Sequence, residues 1–171
     1  SNSSNAMLRF GASRDDVTGT VNTNPSLWQF AKKAGYRTVF IDAQAGGITN
    51  PGLLQNFMSM SEKSDIDSFR AIRDVPSDQA DGRLAEIIAE ELKGPGPVFI
   101  YANKNGAHFP YDEGYPKEAA LFRPTMSETG ADSVETRTDS YRNVVRWSVD
   151  RIFKRLFDEV SLDDTVVIYT S

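Results

Sequence analysis

The chain has 171 residues, 39% hydrophobic and 25% charged, with a formal net charge of −5 and a sequence pI of about 4.9. That length suits one compact α/β core, the balance fits a folded chain, and the acidity without a basic cluster excludes a nucleic-acid surface. The absence of cysteine excludes disulfides, thiolate metal sites and a cysteine nucleophile, and no apolar stretch approaches the roughly 20 residues of a spanning helix.

The opening Ser1 to Met7 (SNSSNAM) is small and polar, and reads as a tag remnant or as native sequence. With so little apolar content, residues 1–24 are expected to be poorly ordered, and residues 25–171 to form the folded domain. Asn24-Pro25 opens a helix predicted over 25–34, with Leu27, Phe30, Ala31 and Ala34 on one stripe and Gly35 as the stop. Thr38 to Ile41 is a continuous β-branched and aromatic run, as in a parallel strand covered on both faces. Ala43 to Gly52 reads as a loop, followed by a short helix through Leu53, Leu54, Phe57 and Met58; Ser59 to Ser77 reads as irregular.

A second amphipathic helix is predicted from about Asp78, with Leu84, Ile87, Ile88 and Leu92 on one face and Gly94-Pro95-Gly96-Pro97 ending it. Val98 to Ala102 is the second strand. From about Asp132 a long helix carries Val145, Val149, Ile152, Leu156 and Val160 as its apolar stripe, and its charged face reads as solvated. After a turn at Asp163-Asp164, Thr165 to Tyr169 is expected as a third strand. Strands alternating with helices imply an α/β fold, three-layered α/β/α around a mainly parallel sheet.

Ligands of open parallel sheets bind beyond the carboxyl ends of the strands, so the three strand exits are the candidate site. The first exit, Asp42 to Gly47, pairs an acid with two glycines. The second, Asn103 to Tyr111, holds the only histidine beside Lys104, Asn103, Asn105, Gly106 and Tyr111. His108 there can donate to an anionic oxygen, move a proton or bind a metal; the bland alternative is a surface histidine. The candidate catalytic residue is His108, and the candidate substrate-binding residues are Asn103, Lys104, Asn105, His108 and Tyr111. The third strand ends at Thr170-Ser171, where the chain stops, which suggests truncation.

The block Ile100 to Pro124 resembles the segment of bacterial phosphoethanolamine transferases and sulfatase-like proteins in which a strand leads into Gly-x-His-x-Pro, then Tyr-Pro, then Phe-x-Pro. Gly106, His108, Pro110, Tyr115, Pro116, Phe122 and Pro124 match that pattern. Tyr141-Arg142-Asn143 is similar to the family's Tyr-x-Asn helix, and Val166 to Ser171 to the strand that runs into its Asp-His-Gly metal-binding turn. The resemblance implies a truncated alkaline-phosphatase-like fold and a membrane-anchored parent enzyme with a periplasmic catalytic domain. It also implies zinc or another divalent ion in the intact parent, none bound by this piece, and a phosphate- or sulfate-ester substrate, lipid or glycan linked. The histidine matching His108 would contact the substrate's phosphate or assist proton transfer. Three features depart from the family: Asn103 replaces a strand-exit histidine, Val149 stands where an acid is usual with Asp150 following, and the nucleophile and principal metal ligands fall outside the matched region. A piece of this kind would be inactive alone. The alternative reading is a non-catalytic α/β domain that holds an anion through the Gly46-Gly47 turn and the Lys104-to-Tyr111 loop, and a third is a degenerate sulfatase-like domain kept for protein interaction, which the Asn103 and Val149 departures favour.

Overall fold

The computed structural model describes residues 2–44 and 58–170. The chain divides into two compact units, one made of Ser1–Arg73 with Gly94–Asn103, the other of Asp74–Lys93 with Lys104–Ser171. The Gly46-Gly47 turn and most of the short helix expected at 53–58 lie outside the described residues. Met58 is described: it is non-helical and buried.

The first unit holds the sheet. Strands β1 (Arg37–Asp42), β2 (Ser68–Ala71) and β3 (Val98–Asn103) form a three-stranded parallel sheet in the order β2-β1-β3. The α/β class and the parallel sheet are as expected, but the third strand is a different one. β2 lies in a stretch read as irregular, whereas Thr165 to Tyr169 forms no strand, with Val166 and Ile168 exposed. β1 was legible because it is central and buried from Thr38 to Asp42. β2 is an edge strand with two exposed and two half-buried residues, so it carries no apolar run, although Phe69 packs its ring 5.5 Å from that of Phe40.

Helices α1 (Asn2–Phe10), α2 (Val17–Thr23), α3 (Leu27–Lys33) and α4 (Met60–Ser64) complete this unit. The segment before Pro25, in which no element is predicted from the sequence, contains two helices. A polar contact that composition does not reveal ties it to the unit. Arg9 is 1% exposed and pairs with the buried Glu62, which also accepts Trp28 Nε1 at 3.1 Å. α3 starts later than predicted, because Ser26 caps it in a capping box with Gln29 and Asn24 instead ends α2. Its buried face is Trp28 and Ala31, while Phe30 and Ala34 are exposed. Trp28 is the centre of the core, edge-on to Phe40 and Phe99 at 6.0 and 5.6 Å.

The second unit is helical. α5 (Ser77–Leu92) buries Leu84 and Ile87 as predicted, and also Ala80, Asp81 and Ala85. Short 3₁₀ turns at Tyr111–Glu113 and Lys117–Ala119 precede α6 (Met126–Thr129) and α7 (Val134–Val145). A π turn, Arg146–Asp150, joins α7 to α8 (Arg151–Glu159). That turn shifts the predicted stripe: Val144, Ser148, Ile152 and Leu156 are buried, and Val145 and Val149 are only half-buried. Gly114 sits so close to α7 that a Cβ would lie 2.3 Å from Val144 Cγ2, so the loop can pack there only as glycine.

Candidate functional site

At the sheet's carboxyl edge, register sets Asp42 of β1 opposite Asn103 of β3. Asn103 Nδ2 donates to Asp42 Oδ1 at 2.9 Å, and the Gln44 amide donates to the same oxygen at 3.0 Å. Both side chains are buried, and Asp42 Oδ2 has no hydrogen-bond partner among the described residues. Burial pushes the Asp42 carboxyl up, against the lowering pull of Asn103, Gln44 and the Arg73 charge. Asn103 is therefore committed to a neighbouring acid on its own sheet.

The candidate residues from Lys104 onward belong to the second unit. Lys104 and Asn105 converge on Asp81 of α5. The Asn105 amide donates to Asp81 Oδ1 at 2.7 Å, the Gly106 amide to Oδ2 at 3.0 Å, and Lys104 Nζ lies 3.3 Å from Oδ2. Asn105 Nδ2 also donates to Ser77 Oγ at 2.9 Å, and Lys104 Nζ to the Ser148 carbonyl at 3.0 Å. Gly106 has φ +66° with open space where a Cβ would stand, so its backbone conformation is what calls for glycine.

His108 follows two residues later and is exposed, with no hydrogen bond or ion pair among the described residues. Tyr111 meets two aromatic rings edge-on, Phe109 at 5.6 Å and Tyr141 of α7 at 5.3 Å. Phe109 and Tyr141 are both largely exposed, so the histidine is followed in the chain by a solvent-facing aromatic row. The loop's far end is held by Asn143 of α7, whose Oδ1 accepts the Leu121 and Phe122 amides at 2.9 and 3.0 Å while Nδ2 donates to the Phe122 carbonyl at 2.8 Å. Closer in, Asp112 accepts from Tyr115 Oη and the Ser127 amide. Burial pushes the Asp112 carboxyl up, but donors from Ser140, Tyr115 and Ser127 outweigh it and hold it below the usual range.

Sequence reasoning missed Asp81. The available signal was a carboxylate at the i−3 position to Leu84, inside the apolar stripe of α5, where an acid persists only if something pairs with it. A cleft of about 640 Å³ between α5 and α8 is a separate feature: its walls include Arg83, Glu86 and Arg155, already joined by ion pairs at 2.8 and 2.6 Å, and not His108.

Among the described residues no three histidine or acidic side chains are grouped so as to hold a metal ion. The one buried carboxylate oxygen without a partner among the described residues, Asp42 Oδ2, is a single donor, and a zinc site needs at least three protein ligands. The described residues do not fit a metal centre.

The Sulfatase family model matches residues 2–171. Two solved structures are similar, both of the C-terminal periplasmic domain of EcEptC from Escherichia coli. One, in complex with Zn, has 19% identity and a TM-score of 0.66, covering 90% of this chain and 43% of that one. The other has 18% identity and a TM-score of 0.61, covering 89% and 42%. This chain thus spans less than half the length of either, and the likeness establishes an alkaline-phosphatase-like α/β fold. No curated protein matches.

Proposed function

We propose, from the premise that this chain belongs to the Sulfatase family, that it is part of a transferase or hydrolase of phosphate or sulfate esters, with His108 facing the ester's anion. The observation that carries this reading is His108 itself: the only histidine of the chain stands exposed, with no hydrogen bond or ion pair among the described residues, on a loop anchored at both ends. An imidazole free of internal partners can donate to a tetrahedral oxyanion or pass a proton to a leaving oxygen. Lys104 and Asn105, whose donors turn to Asp81, would shape the loop more than grip the ester, while Tyr111 would line its aromatic side.

Metal dependence and an extracytoplasmic setting belong to the same proposal. They are supported by the similar structures, which are of a periplasmic domain and in one case a Zn complex. A divalent ion would polarise the ester and its nucleophile. No complete ligand set is grouped among the described residues, and turnover is proposed for a longer protein containing this segment, anchored to the bacterial inner membrane. No described helix is long and apolar enough to cross a membrane.

The test is an assay of the chain extended at both ends, with zinc or manganese, on aryl phosphate and aryl sulfate esters. Metal-dependent turnover that falls in His108→Ala by about 10²-fold or more, the usual share of a general acid or base, is the expected result. Turnover unchanged in His108→Ala would remove the imidazole from the site. Anion binding without turnover under any divalent ion would favour the non-catalytic reading.

A further inference from the structure

We infer that Asp81 is the positioning residue of the His108 loop, a role that rests on His108 being the anion contact proposed above. The carboxylate is 6% exposed, and both oxygens are engaged by consecutive residues of one loop: Oδ1 by the Asn105 amide, Oδ2 by the Gly106 amide and the Lys104 ammonium. Two successive backbone N–H groups with a left-handed residue between loop segments form an anion-binding nest, and here the anion is the protein's own side chain. Such bonds to an ionised acceptor are about twice as strong as neutral ones. Ser77, four residues before Asp81 on α5, accepts the Asn105 side-chain Nδ2 at both its carbonyl and its hydroxyl oxygen.

The first two turns of α5 thus fix residues 104–106 in direction as well as position, because the two amides must address two different oxygens of one planar carboxylate. His108 leaves that fixed segment after one intervening residue, Ala107. A residue with an exposed side chain and no partner of its own has its direction set by the backbone behind it, and Asp81 sets that backbone. Lys104 adds a second tie, since its ammonium also reaches the Ser148 carbonyl in the π turn. Among the described residues, the hydrogen bonds and ion pair of the Asp81 carboxylate all go to residues 104–106, so its role is local to the loop that presents the imidazole.

The experiment is solution NMR on the 171-residue chain, with inorganic phosphate as the probe. In the wild type the Asn105 and Gly106 amides should exchange with solvent at least tenfold more slowly than the His108 amide, and the His108 ring signals should move on adding phosphate. In Asp81→Asn, one amide loses its acceptor and Lys104 its counter-ion. Exchange at Asn105 and Gly106 should rise about tenfold, and the phosphate concentration for half-maximal His108 response should rise several-fold, with amide signals outside residues 77–109 unmoved. Asp81→Glu, which keeps the charge, should recover part of the phosphate response, which loss of folding alone would not allow. A folded Asp81→Asn with wild-type exchange and wild-type phosphate response overturns the inference. Should that variant not fold, wild-type amides at 105 and 106 exchanging as fast as that of His108 overturn it equally. Protected amides with a His108 ring indifferent to phosphate in the wild type would instead defeat the functional reading and leave the staple standing.

Discussion

Asp42 holds Oδ1 between Gln44 and Asn103 while Oδ2 meets no donor among the described residues, and the residue is fully buried. Its carboxyl is raised from the usual 3.8, chiefly by burial, so the charged form is the costly one. A group raised in the folded state contributes its full stability below its unfolded value and loses it as pH rises through the folded value. Asp42→Asn, which keeps the Oδ1 acceptor and cannot ionise, should therefore melt at a higher temperature than the wild type at pH 7, the gap closing towards pH 4. Thermal scans across that range check it, and a gap that widens on acidification would contradict the burial argument. Asp67 behaves in the opposite sense. It pairs with Lys32 and accepts from the Thr38 amide at 2.9 Å, and these bonds, Lys32 first, lower its carboxyl to about 2. Its contribution is present above the usual 3.8 and is lost as pH falls towards 2. Asp67→Asn should be less stable than the wild type at pH 7 and indistinguishable from it near pH 2, read from the same scans. The effect should be modest and weakened by salt, because the pair is 38% exposed on both sides.

The helix α7 and the π turn after it decide how the long loop is held. Asn143 is 2% exposed and satisfies two amides and one carbonyl of Leu121 and Phe122. Truncation leaves those three backbone groups without partners, at roughly 2–4 kcal/mol in all. Asn143→Ala should lower the melting temperature accordingly and raise hydrogen exchange at Leu121 and Phe122, while Asn143→Asp, which keeps the acceptor and loses the donor, should fall between. The Tyr-x-Asn pattern was visible in the sequence, but the clamp was not, because its partners are backbone groups some twenty residues away and backbone groups leave no trace in side-chain identity. β1 was legible for the opposite reason: a central strand must be apolar on both faces, and Thr38 to Ile41 advertises that. β2 hid because an edge strand need not. The helix stripe was misaligned at Val145 and Val149 because periodicity assumes a uniform α turn, and the π turn at Arg146–Asp150 admits an extra residue. The loop around His108 stood out as an unusual composition, whereas its anchor, Asp81, lies 23 residues before the loop on another element, and only the fold brings the two together.

At the scale of the whole chain, the segment read as a strand has strand composition but no strand to pair with among the described residues. Val166 and Ile168 are 87% and 86% exposed, and alternate with Val167 and Tyr169 at 40% and 49%. The Tyr169 ring stands edge-on to Phe153 at 5.2 Å, with the Lys104 ammonium 6.0 Å from its centroid, so one face of the segment rests on the helix α8 and Lys104 of its own unit while Val166 and Ile168 face solvent. Five consecutive β-prone residues with no strand partner among the described residues are a template for pairing with another strand. A net charge of −5 spread over 171 residues opposes close approach only weakly at physiological salt, where the Debye length is about 8 Å. The 171-residue chain should therefore self-associate through Thr165–Tyr169 as its concentration rises. Sedimentation velocity should show the weight-average mass climbing with concentration. The double variant Val166→Lys with Ile168→Lys should stay monomeric at the same concentrations without losing thermal stability, since both side chains are solvent-facing and support no packing. A wild type that remains monomeric throughout, or a double variant that associates just as readily, would show that the open edge is not what governs contact between copies.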